Sequence, residues 1–156
     1  MSEIFTGAWV GDTRLAESVT ELAHEFAGRA AGHDRDGSFP FENFARLRTA
    51  GLLDLMVPRE YGGHGAGLAA ACGVISEIAR GDASTALVLT MQYVAHALLT
   101  RSLQCPPHLR ERVFRDAVEK GALINHLRVE PDLGTPARDS RPFQLGTPRC
   151  PYHLRW

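Results

Sequence analysis

The chain contains few cysteines and no excess of charge. Its three cysteines, Cys72, Cys105 and Cys150, are far apart and form no C-x-x-C pair, so the sequence predicts neither a disulfide framework nor a zinc site. Lys and Arg number 17 against 18 Asp and Glu, a formal net charge of -1. Because nucleic acids and anionic membranes both select basic surfaces, neither is expected as a partner.

Long apolar runs and a basic leader are also missing. No stretch approaches the roughly 18 consecutive apolar residues that a membrane span requires, and the first residues carry Glu3 with no basic region before it. We therefore expect no secretory signal and a cytoplasmic protein with reduced cysteines. The seven histidines form no i, i+4 pair with another ligand, so no metal site is predicted.

What the chain does contain is a series of helical patterns separated by Pro and Gly. Residues 1–11 are expected to be a flexible N-terminus, and Asp12 is a candidate N-cap for a first helix over residues 13–31. This helix carries apolar residues at the spacing of a single buried stripe: Leu15, Val19, Leu22, Phe26 and Ala30.

The second and third helices are marked by their ends. The second is predicted after Ser38 and Pro40, a cap residue and an early-turn proline, and it stops at Gly51. The third is predicted over residues 68–80, and Gly81 breaks it.

The fourth helix is predicted to start at Ser84 as its cap and to run to about Leu103. It is apolar on nearly every side, so it is expected to be the buried centre of the bundle. Pro106 and Pro107 precede a fifth helix, which ends at Gly121.

The pattern changes after the fifth helix. Residues 122–129 alternate loosely and are bounded by Pro131 and Gly134, which predicts a β-strand and a turn. The predicted fold is mainly α, a five-helix up-and-down-like bundle followed by one short strand and an irregular tail. Residues 139–156 are rich in Arg and Pro. One hypothesis for them is a frameshift or premature stop in a GC-rich gene, and the other is a genuine short protein.

Three segments together resemble a known family. They are residues 39–67 (FPFENFARLRTAGLLDLMVPREYGGHGAG), 75–92 (ISEIARGDASTALVLTMQ) and 121–136 (GALINHLRVEPDLGTP). In this order they are similar to the N-terminal helical domain of the acyl-CoA dehydrogenase family, over residues 12–121, and to the start of its middle β-domain, over residues 122–138.

The resemblance implies a flavoenzyme. Family members have a helical bundle, a small β-barrel and a C-terminal four-helix bundle, with FAD between the last two, and they form homotetramers or dimers. A carboxylate of the C-terminal domain takes the α-proton of an acyl-CoA while the flavin takes the β-hydride. Relatives use the same scaffold as flavin-dependent oxidases or monooxygenases.

The resemblance also implies site residues. The family's T-E-P-x-x-G-S segment, which contacts the flavin or the thioester, matches residues 129–135. Arg128 retains backbone groups for that contact and Thr135 retains a hydroxyl. Val129 replaces the first hydroxyl and so removes one flavin hydrogen bond, which leaves room for oxidase or monooxygenase chemistry. The fourth helix lines the acyl pocket in the family, at positions that match Ala86, Leu87, Thr90 and Val94.

Several features allow a plainer interpretation. The glycine-rich run 62–67 could suggest a phosphate loop, but it lacks the Walker lysine and is interpreted as a turn. His96 could face a substrate cavity, although a core histidine is favoured. Glu77 and Asp82 flank a helix break, where capping and solvation explain them better than paired catalysis.

No catalytic residue is predicted. The general base and most of the FAD site belong to family domains with no counterpart in the sequence. The chain is therefore expected to be inactive alone and to bind no flavin. The alternative function is a non-catalytic helical interaction module.

Overall fold

The computed structural model describes residues 13–103 and 105–124. Within these residues it is all helical and has no strand, which confirms the mainly α prediction. The elements are α1 Thr13–Asp36, α2 Phe41–Thr49, a 3-10 turn Arg59–Tyr61, α3 Leu68–Gly81, α4 Ala83–Arg101 and α5 Pro107–Lys120. Asp12, the predicted cap of α1, lies outside the described residues.

Helix α1 buries the predicted stripe. Val19, Leu22 and Phe26 are buried in the main core cluster, and Leu15 packs against that cluster. The helix continues five residues past the predicted end. Its last turn is polar, so the apolar pattern used for the prediction ends before the helix does. Gly37, with a φ of 62°, ends it.

Helix α2 starts and ends near the predicted positions. Pro40 precedes its first residue, and Gly51 follows its end with a φ of 68°. Ser38 does not cap the helix, however. Its hydroxyl instead lies 2.8 Å from His33 Nδ1, so it joins the end of α1 to the loop before α2.

Helix α3 packs on α1 through a very close backbone approach. A Cβ on Gly81 would overlap the carbonyl of Ala23. Gly81 is still part of α3, so its main role is to let the two helices touch rather than to break the chain.

Helix α4 corrects two predictions about its ends. Its N-cap is Asp82, whose carboxylate accepts from the backbone N–H groups of Ser84 and Thr85, and Ser84 is already helical. The earlier residue caps the helix because its carboxylate reaches two of the free N–H groups of the first turn. The helix ends at Arg101 instead of Leu103, and Leu103 is fully exposed.

The prediction that α4 is the buried centre of the bundle is also wrong. Leu89, Tyr93 and Leu99 are buried, but the opposite face of the helix is exposed and apolar. A helix that is apolar on every side gives no sign of which side the other helices will cover. In the fold, α1, α2, α3 and α5 leave one side of α4 exposed.

Helix α5 packs as a second, smaller cluster. Phe114 and Val113 bury against Val57 and Leu99. The helix ends at Gly121 with a φ of 66°, as predicted. Of the predicted strand, the structure describes only residues 122–124, which have no regular secondary structure, and the remainder lies outside the described residues.

The glycine-rich run folds as a turn. Gly62 caps the 3-10 turn with a φ of 93°, and Gly65 has a φ of 62°. A Cβ on Gly63 would overlap Val57, so the glycines are explained by backbone geometry and close packing.

Candidate functional site

One face of α4 is an exposed apolar surface. Its members recur at i, i+4, i+7 and i+11 and so line up along the helix, with exposed fractions of 65% for Leu87, 39% for Met91, 41% for Val94 and 43% for Leu98. We call these four residues the α4 stripe. Contiguous apolar surface of this kind marks a ligand site or an interface more often than isolated exposed leucines do.

The structure brings three of the four predicted pocket residues to this face. Leu87 and Val94 belong to the stripe, and Thr90 is half-buried between them, with its hydroxyl donating to the Ala86 carbonyl at 2.8 Å. Ala86 itself is buried in the main core and does not share the face.

Two members of the stripe were not predicted as pocket residues. Met91 lies four residues after Leu87, and Leu98 lies four residues after Val94. The i, i+4 rule for neighbours on a helix would have identified both.

The predicted flavin contacts, Arg128, Val129 and Thr135, lie outside the described residues. The stripe itself offers no hydrogen-bond donor, since its side chains are apolar and the nearby Thr90 hydroxyl is already bonded within the helix. It therefore fits an apolar ligand or an apolar protein face, and no proton or hydride step follows from it. Among residues 13–103 and 105–124, no group of His, Cys, Asp and Glu is placed to hold a metal.

The start of α4 is fixed by a buried polar cluster. Asp82 Oδ2 accepts from the Thr85 hydroxyl at 2.6 Å and from Asn43 Nδ2 at 3.1 Å, while Asp82 Oδ1 accepts from the Ser84 hydroxyl at 2.6 Å. Arg29 Nη2 in turn donates to Asn43 Oδ1 at 2.8 Å, which extends the cluster to α1. These bonds set the rotation of α4 and hence the direction of its stripe.

The electrostatics of Asp82 follow from this cluster. Burial acts to raise the pKa of its carboxyl, but hydrogen bonds from the Ser84 and Thr85 side chains and backbone outweigh it, so the pKa lies below its ordinary value. Glu77 pairs instead with Arg80 at 3.5 Å. The two carboxylates are thus a cap and a surface ion pair, as the plainer interpretation held.

His96 faces the core. It is completely buried, its ring meets Phe114 edge-on with centroids 5.9 Å apart, and burial lowers its pKa to about 4. The side chain is therefore neutral at pH 7 and does not touch the α4 stripe. The core position agrees with the favoured interpretation of a satisfied core histidine, but Nδ1 has no hydrogen-bond partner among the described residues.

A cavity of about 330 Å³ lies near the start of α4, and none of the four predicted pocket residues lines it. It is lined by His33, Asp34, Gly37, Ser38, Phe39, Pro40, Phe44, Ser84 and Val88. His33 bridges Ser38 and, through Nε2 at 2.9 Å, Glu42, which ties α1 to α2. The Ser38 N–H also donates to the His33 carbonyl. The contacts among His33, Ser38 and Glu42 therefore hold α1 and α2 together and are explained by structure alone.

Helix α4 is also long and apolar enough to be compared with a membrane span, although 44% of the tested window is buried. Its buried side carries Thr85, Gln92 and His96, and Thr85 and Gln92 hydrogen-bond to other parts of the fold. Polar groups paired in this way are typical of a helix that packs one side against a folded domain.

Comparison with known proteins decides the family. The family model described as acyl-CoA dehydrogenase, N-terminal domain, matches residues 12–102. The chain belongs to this family. As an acyl-CoA dehydrogenase family member it is 35% identical over 128 residues to a probable acyl-CoA dehydrogenase of Mycobacterium leprae, covering 81% of this chain and 32% of that protein.

Other similar proteins include a monooxygenase and a protein whose solved structure contains FMN. A dibenzothiophene monooxygenase of Rhodococcus erythropolis is 44% identical over 63 residues, covering 40% of this chain and 15% of that one. The crystal structure of FMN-bound TdsC from Paenibacillus sp. A11-2 superposes with a TM-score of 0.62 at 28% identity, over 70% of this chain and 27% of TdsC. The chain thus spans about a third of the length of the family's proteins that it matches.

Proposed function

We propose that this chain is the helical wall of an apolar substrate pocket in a flavin-dependent oxidoreductase that acts on an acyl-CoA or a similarly apolar compound. The α4 stripe carries the proposal. Family membership supports the class of reaction, and the stripe supplies the surface that an acyl chain needs.

The energetics of the stripe favour a ligand. Burying an exposed leucine fully contributes about 1.5–3 kcal/mol, and Leu87 and Val94 together present much of that surface to solvent. Because the Thr90 hydroxyl is satisfied by the Ala86 carbonyl, covering it with an alkyl chain strands no donor. The surface therefore gains from an apolar occupant without losing a hydrogen bond.

The cofactor is proposed to be a flavin, FAD in the dehydrogenase version, held by a longer protein that assembles as a homo-oligomer. Arg128 and Thr135 are the proposed contacts from this chain. The 156-residue chain by itself is proposed to be inactive.

A flavin-dependent monooxygenase or oxidase is the second candidate. Two observations favour it: the 44% identity to a dibenzothiophene monooxygenase, and Val129 in place of a hydroxyl residue. The two candidates differ in the ligand that the stripe would accept, since an acyl chain is flexible and dibenzothiophene is flat and rigid.

The test is a methyl NMR titration of the full 156-residue chain with octanoyl-CoA and, separately, with dibenzothiophene. We expect octanoyl-CoA to shift the methyl signals of the four stripe residues. Leu87→Gln should weaken binding roughly tenfold, the effect of losing one buried leucine contact.

Leu68 provides the matched control. It is 70% exposed, close to the 65% of Leu87, but it lies on α3. Leu68→Gln should leave the titration unchanged. Shifts with dibenzothiophene alone would select the monooxygenase candidate. If neither compound shifts the stripe and a full-length family member binds it instead, the interaction module replaces both.

A further inference from the structure

The side chain of Gln92 holds two backbone groups just after α5. Its Nε2 donates to the Ala122 carbonyl at 3.0 Å, and its Oε1 accepts from the Ile124 N–H at 2.8 Å. The two bonds flank Leu123, as the bonds of a neighbouring strand would in a β-ladder. Gln92 is buried, so its end of both bonds is shielded from water.

These contacts fix the orientation of the Gln92 amide. Turning the amide over would place its NH₂ against the Ile124 N–H and its oxygen against the Ala122 carbonyl, which sets donor against donor and acceptor against acceptor. The Leu53 carbonyl lies 3.5 Å from Nε2 on the same side, and it shares the second N–H of the amide with His96 Nε2, because the NH₂ group has only two hydrogens.

The amide orientation in turn fixes the tautomer of His96. His96 Nε2 lies 3.4 Å from Gln92 Nε2, and an amide nitrogen donates but does not accept. His96 Nε2 is therefore the bare, accepting nitrogen, and the proton is on Nδ1. Nδ1 is buried without a hydrogen-bond partner in the part of the chain that the structure describes. Since no group at Nδ1 competes, the contact with Gln92 alone selects the tautomer of His96.

The two residues after Ala122 pack against different clusters. Leu123 packs against the main cluster, which contains Phe26 and Tyr93, while Ile124 packs against the second cluster with Phe114. Successive side chains that point to opposite sides are the mark of an extended backbone. Gln92 therefore acts where the chain passes between the two clusters, and this alternation is what an extended backbone would give.

We propose that Gln92 is a positioning residue that holds residues 122–124 extended and sets where the chain leaves the helical domain, with His96 accepting from the Gln92 amide to keep it oriented. One face of α4 then carries the apolar stripe, and the other holds the segment that precedes Arg128 and Thr135 in the sequence. We call the two hydrogen bonds from Gln92 to Ala122 and Ile124 the Gln92 clamp. Any effect of this clamp on flavin binding rests on the function proposed above, but the clamp itself does not.

Amide hydrogen exchange on the full chain measures the clamp at the atom it holds. The Ile124 N–H lies outside any helix, yet we expect it to be protected on the order of 100-fold. Gln92→Leu removes both bonds and should reduce that protection at least roughly tenfold, while the amides of α3 keep theirs. Met91→Leu, on the stripe side of α4, is the control and should change nothing at Ile124.

A second variant separates the clamp from general packing. Gln92→Glu retains an acceptor for Ile124 but, when ionised, has no donor for Ala122. Protonation restores a donor, so the ratio of Ile124 protection in Gln92→Glu to that in Gln92→Leu should rise as the pH falls. Both variants keep His96, so the ratio removes the loss of stability that His96 causes at low pH. Absence of that rise contradicts the hydrogen-bonding role.

Two measurements on the wild-type chain test the proposed role of Gln92 even if Gln92→Leu does not fold. Nitrogen-15 NMR of the wild-type imidazole should show the His96 proton on Nδ1, and a proton on Nε2 would overturn the pairing with Gln92. Free exchange of the wild-type Ile124 N–H would overturn the clamp. Neither readout involves flavin or substrate, so failure here is distinct from failure of the α4 stripe to bind a ligand.

Discussion

Asn43 on α2 donates a hydrogen bond of 3.1 Å to Oδ2 of Asp82, the N-cap of α4, and both side chains are buried. Asp82 therefore does two things at once. It closes the first turn of α4 through Ser84 and Thr85, and it satisfies a buried amide that has no access to water. The start of α4 and the position of α2 depend on the same carboxylate.

Asp82→Ala is expected to lower the free energy of unfolding by about 2–4 kcal/mol. The lost cap accounts for about 1 kcal/mol, and the stranded Asn43 and Thr85 groups account for the remainder. Ser84→Ala removes one bond to the same carboxylate and should cost about 1 kcal/mol or less. Urea unfolding followed by circular dichroism measures both. Equal losses for the two variants would contradict the assignment of Asp82 as the cap.

Gly81→Ala is expected to destabilise the fold by at least about 2 kcal/mol, because the new methyl group overlaps the Ala23 carbonyl and forces α1 and α3 apart. The matched control is Gly28→Ala on α1, where a Cβ meets nothing within 4 Å. Alanine is the better helix former, so that variant should be stabilised by about 0.5–1 kcal/mol. Thermal unfolding of both variants checks the pair, and a neutral Gly81→Ala would show that the helices can separate cheaply.

Stability is expected to fall between pH 6.5 and 4 because of His96. Its pKa is about 4 in the fold and has its ordinary value of 6.5 in the unfolded chain. The unfolded state therefore binds more protons in this range, and stability present above pH 6.5 is lost as the pH falls toward 4. At pH 5 the loss is about 2 kcal/mol.

His96→Gln is the variant that isolates this effect. It removes the titrating ring, so the difference in unfolding free energy between pH 7 and pH 5 should shrink relative to the wild type. An unchanged difference would assign the pH dependence to another group.

The purified 156-residue chain is expected to show no flavin absorbance at about 450 nm, since an ordered flavin site needs preorganised walls on all sides. The α4 stripe offers one apolar wall, and its nearest hydroxyl is already bonded. Absorbance that survives dialysis, with FAD or FMN released on denaturation, would contradict this expectation.

Local chemistry made much of the helical layout predictable. The stripe of α1 has one apolar face, and Gly51 and Gly121 mark helix ends because their positive φ angles suit glycine. Helix boundaries were predicted wrongly where two neighbouring residues were both suitable caps. Ser84 and Asp82 are both good caps by residue type, and only the folded chain places the Asp82 carboxylate on the free N–H groups and under Asn43.

The exposed face of α4 could be predicted only in part, and its role as a pocket stays a prediction. Leu87, Thr90 and Val94 lie on one face, whereas Ala86 is buried in the core. Residue type could not separate them, because α4 is apolar on both sides and its rotation is set by packing against other helices.

The sequence by itself determined the helical class, most helix positions and the family, because helix periods, glycine stops and the three resembling segments are all local patterns. Only the tertiary structure decided which face of α4 is open and what Gln92 and His96 do. Those outcomes depend on residues far apart in the chain, Gln92 with Ala122 and Ile124 above all, and a contact across folded space leaves no periodic signal in the sequence.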